Sequence, residues 1–126
     1  MKELTKAEQQ VMQYIWKLEK AFLKDIVDEF PEPKPAYTTV STVVRVLVEK
    51  GFIKYKTYGK IREYYPSISK KEYSRLFFKK WISSFFNNSK KNFASFFMNE
   101  TDMNITELEE LRNMIEKEIE SRKKNN

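Results

Sequence analysis

Apolar positions along this chain recur every three to four residues in most segments and every two residues in one. Val11, Ile15 and Leu18 fall at helical spacing, Met12 and Trp16 widen the stripe, and Thr5 followed by Glu8 forms a capping-box pattern just ahead of them. This predicts a helix from about Lys6 to Leu18. Leu23, Ile26, Val27 and Phe30 give the buried face of a second, shorter helix. Pro31, Pro33 and Pro35 end it, because proline cannot continue a helix and biases the residue before it toward extended geometry. The next segment, TTVSTVVRVLV, is rich in β-branched residues and by propensity alone favours a strand. Its period decides for a helix over residues 38–50, since Val40, Val43, Val44 and Leu47 fall at i, i+3, i+4 and i+7. Gly51 then stands where a left-handed glycine ends a helix.

The period shortens to two after Gly51. Phe52–Tyr58 and Ile61–Tyr65 read as two strands with Gly59 in the turn. In the first strand Ile53, Tyr55 and Thr57 share one face, and Lys54 and Lys56 share the other. Pro66 closes this part. Ser69 with Glu72 opens a long helix to about Phe86. Its stripe is wide: Tyr73, Phe77, Trp81 and Phe85 lie four apart, with Phe78, Ile82 and Phe86 repeating the spacing alongside. A short helix around Lys91–Met98 carries Phe93, Phe96 and Phe97. The last helix starts near Asn104 with Glu107 at the capping-box position, and runs through Leu108, Leu111, Ile115 and Ile119. Along it Glu118–Arg122 and Glu120–Lys124 are spaced four apart with the acid first, the favourable order.

Three short helices followed by a hairpin describe the winged version of the helix-turn-helix. The predicted fold is therefore mainly α: a winged helix-turn-helix (three helices plus a β-hairpin wing) followed by a helical dimerisation region. The break near Pro66–Ser69 divides it into residues 1–67 and 68–126.

Composition narrows the chemistry. The chain has no cysteine and no histidine, which removes disulfides, thiol chemistry, the commonest metal ligand and the commonest general base. With no phosphate-cradling glycine loop either, an enzyme is the least favoured reading, and no cofactor or metal is expected. No apolar run is long enough to span a bilayer, and MKELTKAEQQ lacks the apolar core of a signal peptide, so no membrane insertion and a cytoplasmic location are expected.

The net charge of +6 is unevenly placed. Residues 1–33 carry 5 − 7 = −2, residues 34–66 carry 7 − 2 = +5, residues 67–99 carry 7 − 1 = +6, and residues 100–126 carry 5 − 8 = −3. A clustered basic patch suits a polyanion such as double-stranded DNA, although charge alone fits a solvated basic surface equally well. The helix over 38–50 carries Thr38, Thr42 and Arg45 on its outer face, with Thr39 and Ser41 near its start. Hydroxyls can bond phosphates or base edges, threonine methyls can pack on thymine methyls, and Arg45 can reach a guanine edge or a phosphate. Lys54, Lys56, Lys60 and Arg62 load the hairpin with charge suited to the DNA backbone. Taken singly, the hydroxyls read as a solvated helix face and Lys54 and Lys56 as protection of a strand edge. Position, charge and order together make the combination more specific.

Residues 77–97 hold seven phenylalanines and one tryptophan. A small core of three C-terminal helices accounts for some of them, but about sixty residues bury only a limited share of their own surface. A second copy of the chain accounts for more, and the dimerisation candidates are Phe77, Phe78, Trp81, Phe85, Phe93, Phe97, Leu108, Leu111 and Ile115. No polar constellation converges among these aromatics, which argues against a ligand pocket there.

Four segments together resemble the penicillinase-repressor family of bacterial transcription regulators. LTKAEQQVMQYIWK is similar to its opening helix, with Glu8 and Ile15–Trp16 at its acidic and aliphatic–Trp positions. YTTVSTVVRVLVEKGFI is similar to its recognition helix and following strand, YGKIREYYP to its wing, and ELEELRNMIEKE to its terminal helix. The resemblance implies a homodimeric repressor that holds a dyad operator through two winged helices. It also implies a sensor-linked protease as a partner, since in characterised members a membrane sensor of β-lactam antibiotics triggers proteolytic release of repression. The chain departs from the family pattern in carrying Val46 where an arginine is usual, with Arg45 one place earlier. It has Phe96–Phe97 where the best-known members are cleaved at Asn-Phe, and it lacks the cysteine cluster of copper-responsive relatives. Two other readings stay open: a ligand-responsive regulator of another winged-helix family, and a winged-helix module for protein interaction.

Overall fold

The computed structural model describes residues 3–126. The chain runs α1 (Lys6–Leu18), β1 (Ala21–Phe22), α2 (Leu23–Glu29), α3 (Tyr37–Glu49), β2 (Ile53–Tyr58), β3 (Ile61–Pro66), α4 (Lys70–Phe86), α5 (Lys90–Glu100) and α6 (Ile105–Lys124). The mainly helical winged architecture expected from the pattern is the one observed. Compactness divides the chain into two units, one ending at Phe78 and one running from Lys79 to Asn126, so the division falls inside α4.

In the first unit, α1 begins with the capping box that Thr5 and Glu8 announce: the Thr5 hydroxyl accepts from the Glu8 amide at 3.2 Å and Glu8 accepts from the Thr5 amide at 2.9 Å. The apolar stripe of α1 buries Val11, Met12 and Ile15 against Ile26 and Val27 of α2 and Val40, Val44 and Leu47 of α3. Its β-branched composition notwithstanding, α3 is helical, because only a helix puts Val40, Val44 and Leu47 on one side together. Gly51, at φ +83°, ends it. The Gly51 amide donates to the Val48 carbonyl and the Phe52 amide to the Leu47 carbonyl, both at 3.0 Å, the paired bonds of a Schellman motif. This reversal drops the Phe52 ring into the core and launches β2.

The sheet has three strands in the order β1-β3-β2, all antiparallel. The sequence pattern shows only two of them. The first, β1, is too short to display alternation, and it exists through pairing with β3 some forty positions later, Ala21 with Tyr64 and Phe22 with Glu63. The start of α4 is tied to this unit by Tyr73, whose ring lies 5.7 Å from both Trp16 and Phe52. The Trp16 indole N–H donates to the Ile68 carbonyl at 2.9 Å.

In the second unit, Trp81, Phe86 and Phe93 meet edge to face with ring centroids 5.2–5.8 Å apart, and Phe96 joins Phe86 at 5.5 Å. Ser89 caps α5, accepting from the Asn92 amide, and Asn104 with Glu107 forms the capping box of α6. Glu118 and Arg122 pair at 3.0 Å. Glu120 and Lys124 make no ion pair among the described residues. No helix among the described residues is long and apolar enough to cross a membrane.

Candidate nucleic-acid interface

The inner face of α3 is locked into the core, so its outer face is forced outward. Thr38, Thr39, Ser41, Thr42 and Arg45 are all exposed there. Thr38, Ser41 and Thr42 line a shallow groove together with Tyr37 and with Leu23 of α2. Thr39 and Arg45 lie outside that groove. The Thr42 hydroxyl donates to the Thr38 carbonyl at 2.9 Å, which spends its proton on the helix and leaves it to act as an acceptor. Ala36 at the N-cap offers no side chain to the first-turn amides, so that helix end is open to an anion.

The hairpin register separates the four wing cations. Ile53, Tyr55 and Thr57 stand opposite Pro66, Tyr64 and Arg62, which puts Arg62 on the face that begins in the core. Lys54, Lys56 and Tyr58 stand opposite Tyr65, Glu63 and Ile61, on the other face. Lys60 follows Gly59, at φ +61°, in the turn. The Arg62 guanidinium lies 4.3 Å from the Tyr55 ring centroid, and Lys56 Nζ lies 5.4 Å from that of Tyr58. Lys60 and Arg62 share a second groove, of about 630 Å³, with Lys24 and Asp25 of α2. Lys24 escapes a reading by charge, because it sits in the stretch whose net charge is −2.

Two basic residues of the central segment are committed elsewhere: Lys34 donates to the Asp28 and Phe30 carbonyls, both at 2.8 Å, and Lys50 forms an ion pair. Lys50, which ends α3, reaches back to α1 and bonds both carboxylate oxygens of Glu8, at 2.7 and 3.0 Å. The Glu8 side chain is 8% exposed and that of Lys50 22%. Burial is the largest influence on the Glu8 carboxyl and pushes it up. The hydrogen bond from Lys50, that from the Thr5 amide, the Lys50 charge and the Thr5 hydroxyl together outweigh burial, and hold the carboxyl below its ordinary value. From its local pattern Glu8 reads as a capping residue; its ion-pair partner is 42 positions away.

The dimerisation candidates are mostly uncovered. Phe77 is half-buried against Tyr73 at 4.5 Å, and Phe93 and Leu111 are half-buried. Phe78, Trp81, Phe85, Phe97, Leu108 and Ile115 are exposed, Phe85 by 71%. The apolar residues Ile105 and Met114 of α6, which the sequence pattern does not single out, are 75% and 66% exposed.

Three helices, the third hydroxyl-rich on its outward face, and a hairpin wing define a winged-helix protein, a class many of whose members dock on duplex DNA. The chain belongs to the penicillinase-repressor family: the family model described as penicillinase repressor matches residues 4–117. It is 29% identical over 116 residues to the methicillin resistance regulatory protein MecI of Staphylococcus aureus strain N315, covering 91% of this chain and 94% of that protein. It is 24% identical over 123 residues to the penicillinase repressor of Bacillus licheniformis, covering 97% and 95%. The solution structure of the DNA-binding domain of the repressor BlaI matches with a TM-score of 0.50 and 26% identity, over 58% of this chain and 94% of that one. The family expected from the four sequence segments is thus the one found, and it is a family of regulators rather than enzymes.

Proposed function

We propose that the chain is a homodimeric transcriptional repressor that holds a dyad operator in duplex DNA with two winged helices. The observation that carries the reading is the outward face of α3, where Thr38, Ser41 and Thr42 are exposed together, in a chain of the penicillinase-repressor family that also carries a cationic wing. In this reading α3 enters the major groove, its hydroxyls and Arg45 meet base edges and phosphates, and the wing holds the backbone. Residues 1–67 bind DNA and residues 68–126 make the dimer. The dimer is supported by α5 and α6, which bury no residue of their own, so that Ile105 and Ile115 await a cover, as does Phe85 near the end of α4. Two copies related by a two-fold axis match half-sites about one helical turn, or a multiple of it, apart. The role is cytoplasmic, and release by a sensor-linked protease is the family-based part of the reading.

A gel-shift titration of the full chain against its own promoter region, beside a random duplex and over a range of salt, tests this. Salt-sensitive binding with a preference for the promoter is expected. Binding that ignores salt and sequence alike sinks the reading.

A further inference from the structure

We infer that Lys24, Lys60 and Arg62 form one phosphate-binding groove between α2 and the wing, and that this side of the wing grips the DNA backbone while Lys54 and Lys56 do not. The inference rests on the DNA-binding reading above and adds to it a contact residue, Lys24, and a direction for the wing.

The groove gathers three cations and one acid, a net +2. The acid is already in use: Asp25 Oδ2 accepts the Phe22 amide at 2.9 Å as α2 begins. Among the described residues, Lys24, Lys60 and Arg62 have no ion-pair partner. Like charges brought together around one groove repel, and an anion seated among them relieves that repulsion. Arg62 is also braced. Its guanidinium packs on the Tyr55 ring, which fixes the plane of the fork at little entropic cost and leaves its N–H groups to donate.

The groove lies along the β3 edge, taking in Ile61 as well as Arg62. The hairpin face that carries Lys54 and Lys56 is weaker. Glu63 stands directly across from Lys56, so Lys54 and Lys56 face one acid, a net +1. The two sides also differ in what they adjoin. Leu23 borders the Lys24–Lys60–Arg62 groove and also the shallow groove of Thr38, Ser41 and Thr42, so the two grooves adjoin at that side chain. A backbone strand leaving the major groove along that path meets phosphate ligands without a break.

The test is a salt titration of operator binding by the full chain, with Lys24→Ala, Lys24→Arg and Lys54→Ala. Removing one phosphate ligand flattens the slope of log affinity against log salt by about 0.9. Between about 50 and 200 mM salt, Lys24→Ala is therefore expected to lose about 3.5-fold less affinity than the native chain. The change should be the same on operator and random duplex, because phosphates carry no sequence. Lys24→Arg restores the native slope and Lys54→Ala keeps it. A native slope for Lys24→Ala, or equal flattening by Lys54→Ala, overturns the inference and leaves the DNA-binding reading intact. If the native chain itself binds no duplex in a salt-dependent way, that reading falls and the inference goes with it.

Discussion

Replacing Lys50 by methionine removes the cation from a carboxylate whose side chain is 8% exposed, and keeps the length and apolar stem of the lysine. Stripping one partner from a buried pair costs about 3–5 kcal/mol. Two features lower that figure here. Lys50 is 22% exposed, so water can reach the vacated position, and Glu8 keeps the Thr5 amide as a donor. A loss of about 2 kcal/mol at pH 7 is expected, which is a fall of about 10 °C in Tm for a unit of this size. The pH dependence identifies the cause. The folded Glu8 carboxyl lies below its unfolded value of about 4.3, so its contribution is fully present above that value and is lost as pH falls through the folded one. The native chain should therefore lose stability on acidification. In Lys50→Met burial acts on Glu8 without the cation, so its carboxyl moves up and the variant loses less. The gap between the two Tm values should be widest near neutrality and narrow as pH falls below the unfolded value of about 4.3. Thermal unfolding by circular dichroism from pH 7 to 3, with Glu8→Gln and the double variant to complete the cycle, measures this. A gap that stays constant across that range, or none at pH 7, refutes the reasoning.

Gly51→Ala forces a left-handed backbone on a residue with a Cβ. No atom lies within 4 Å of that position, so the cost is conformational alone, about 1–2 kcal/mol, read as a lower urea midpoint with an unchanged m-value. Trp16→Phe keeps the ring against Tyr73 and leaves the Ile68 carbonyl without its donor, at a cost of about 1 kcal/mol by the same assay. Ile115→Glu puts charge into the exposed apolar face of α6; sedimentation should show a shift toward monomer, with helicity retained because Ile115 is not part of a core. A native sedimentation coefficient for that variant removes Ile115 from the interface.

What the sequence shows of this fold is what lies close together along it. The capping boxes at Thr5–Glu8 and Asn104–Glu107 each span one turn, and both form. The helical character of α3 is legible for the same reason: its burial period repeats within eleven residues and outweighs the strand propensity of its valines and threonines. Contacts between distant residues are not legible in this way. Lys50 looks like one more cation of a basic segment until the fold brings Glu8 to it, so the segment total overstates the charge open to a polyanion. The wide aromatic stripe of α4 reads as burial on several sides, yet Phe85 is exposed, because a stripe announces a need for cover without saying what supplies it. The outward placement of the α3 hydroxyls is legible because exposure there follows from the period of the buried valines. The division of the wing cations depends on the pairing of Tyr58 with Ile61, one residue either side of the Gly59–Lys60 turn, and a one-residue slip exchanges the faces.

The element hardest to see in the sequence does the most to align the candidate site. Two residues of β1 make no independent strand, since a ladder this short is stable only when the rest of the fold holds its ends. Here α1 and α2 hold them, and Ala21 is buried between. The pairing of Phe22 with Glu63 then ties the start of α2 to the middle of β3. Lys24 follows Phe22 by two residues, and Arg62 precedes Glu63 by one. Their backbone positions are therefore set by a shared hydrogen-bonded register, with no reliance on a flexible loop. A hairpin anchored only at its base swings, and a swinging wing presents Lys60 and Arg62 to a phosphate only part of the time. Tied along one edge by β1 and braced on one face by Tyr55 against Tyr64, at 5.9 Å, the wing holds Lys60 and Arg62 at a fixed offset from Lys24, as the proposed phosphate groove requires.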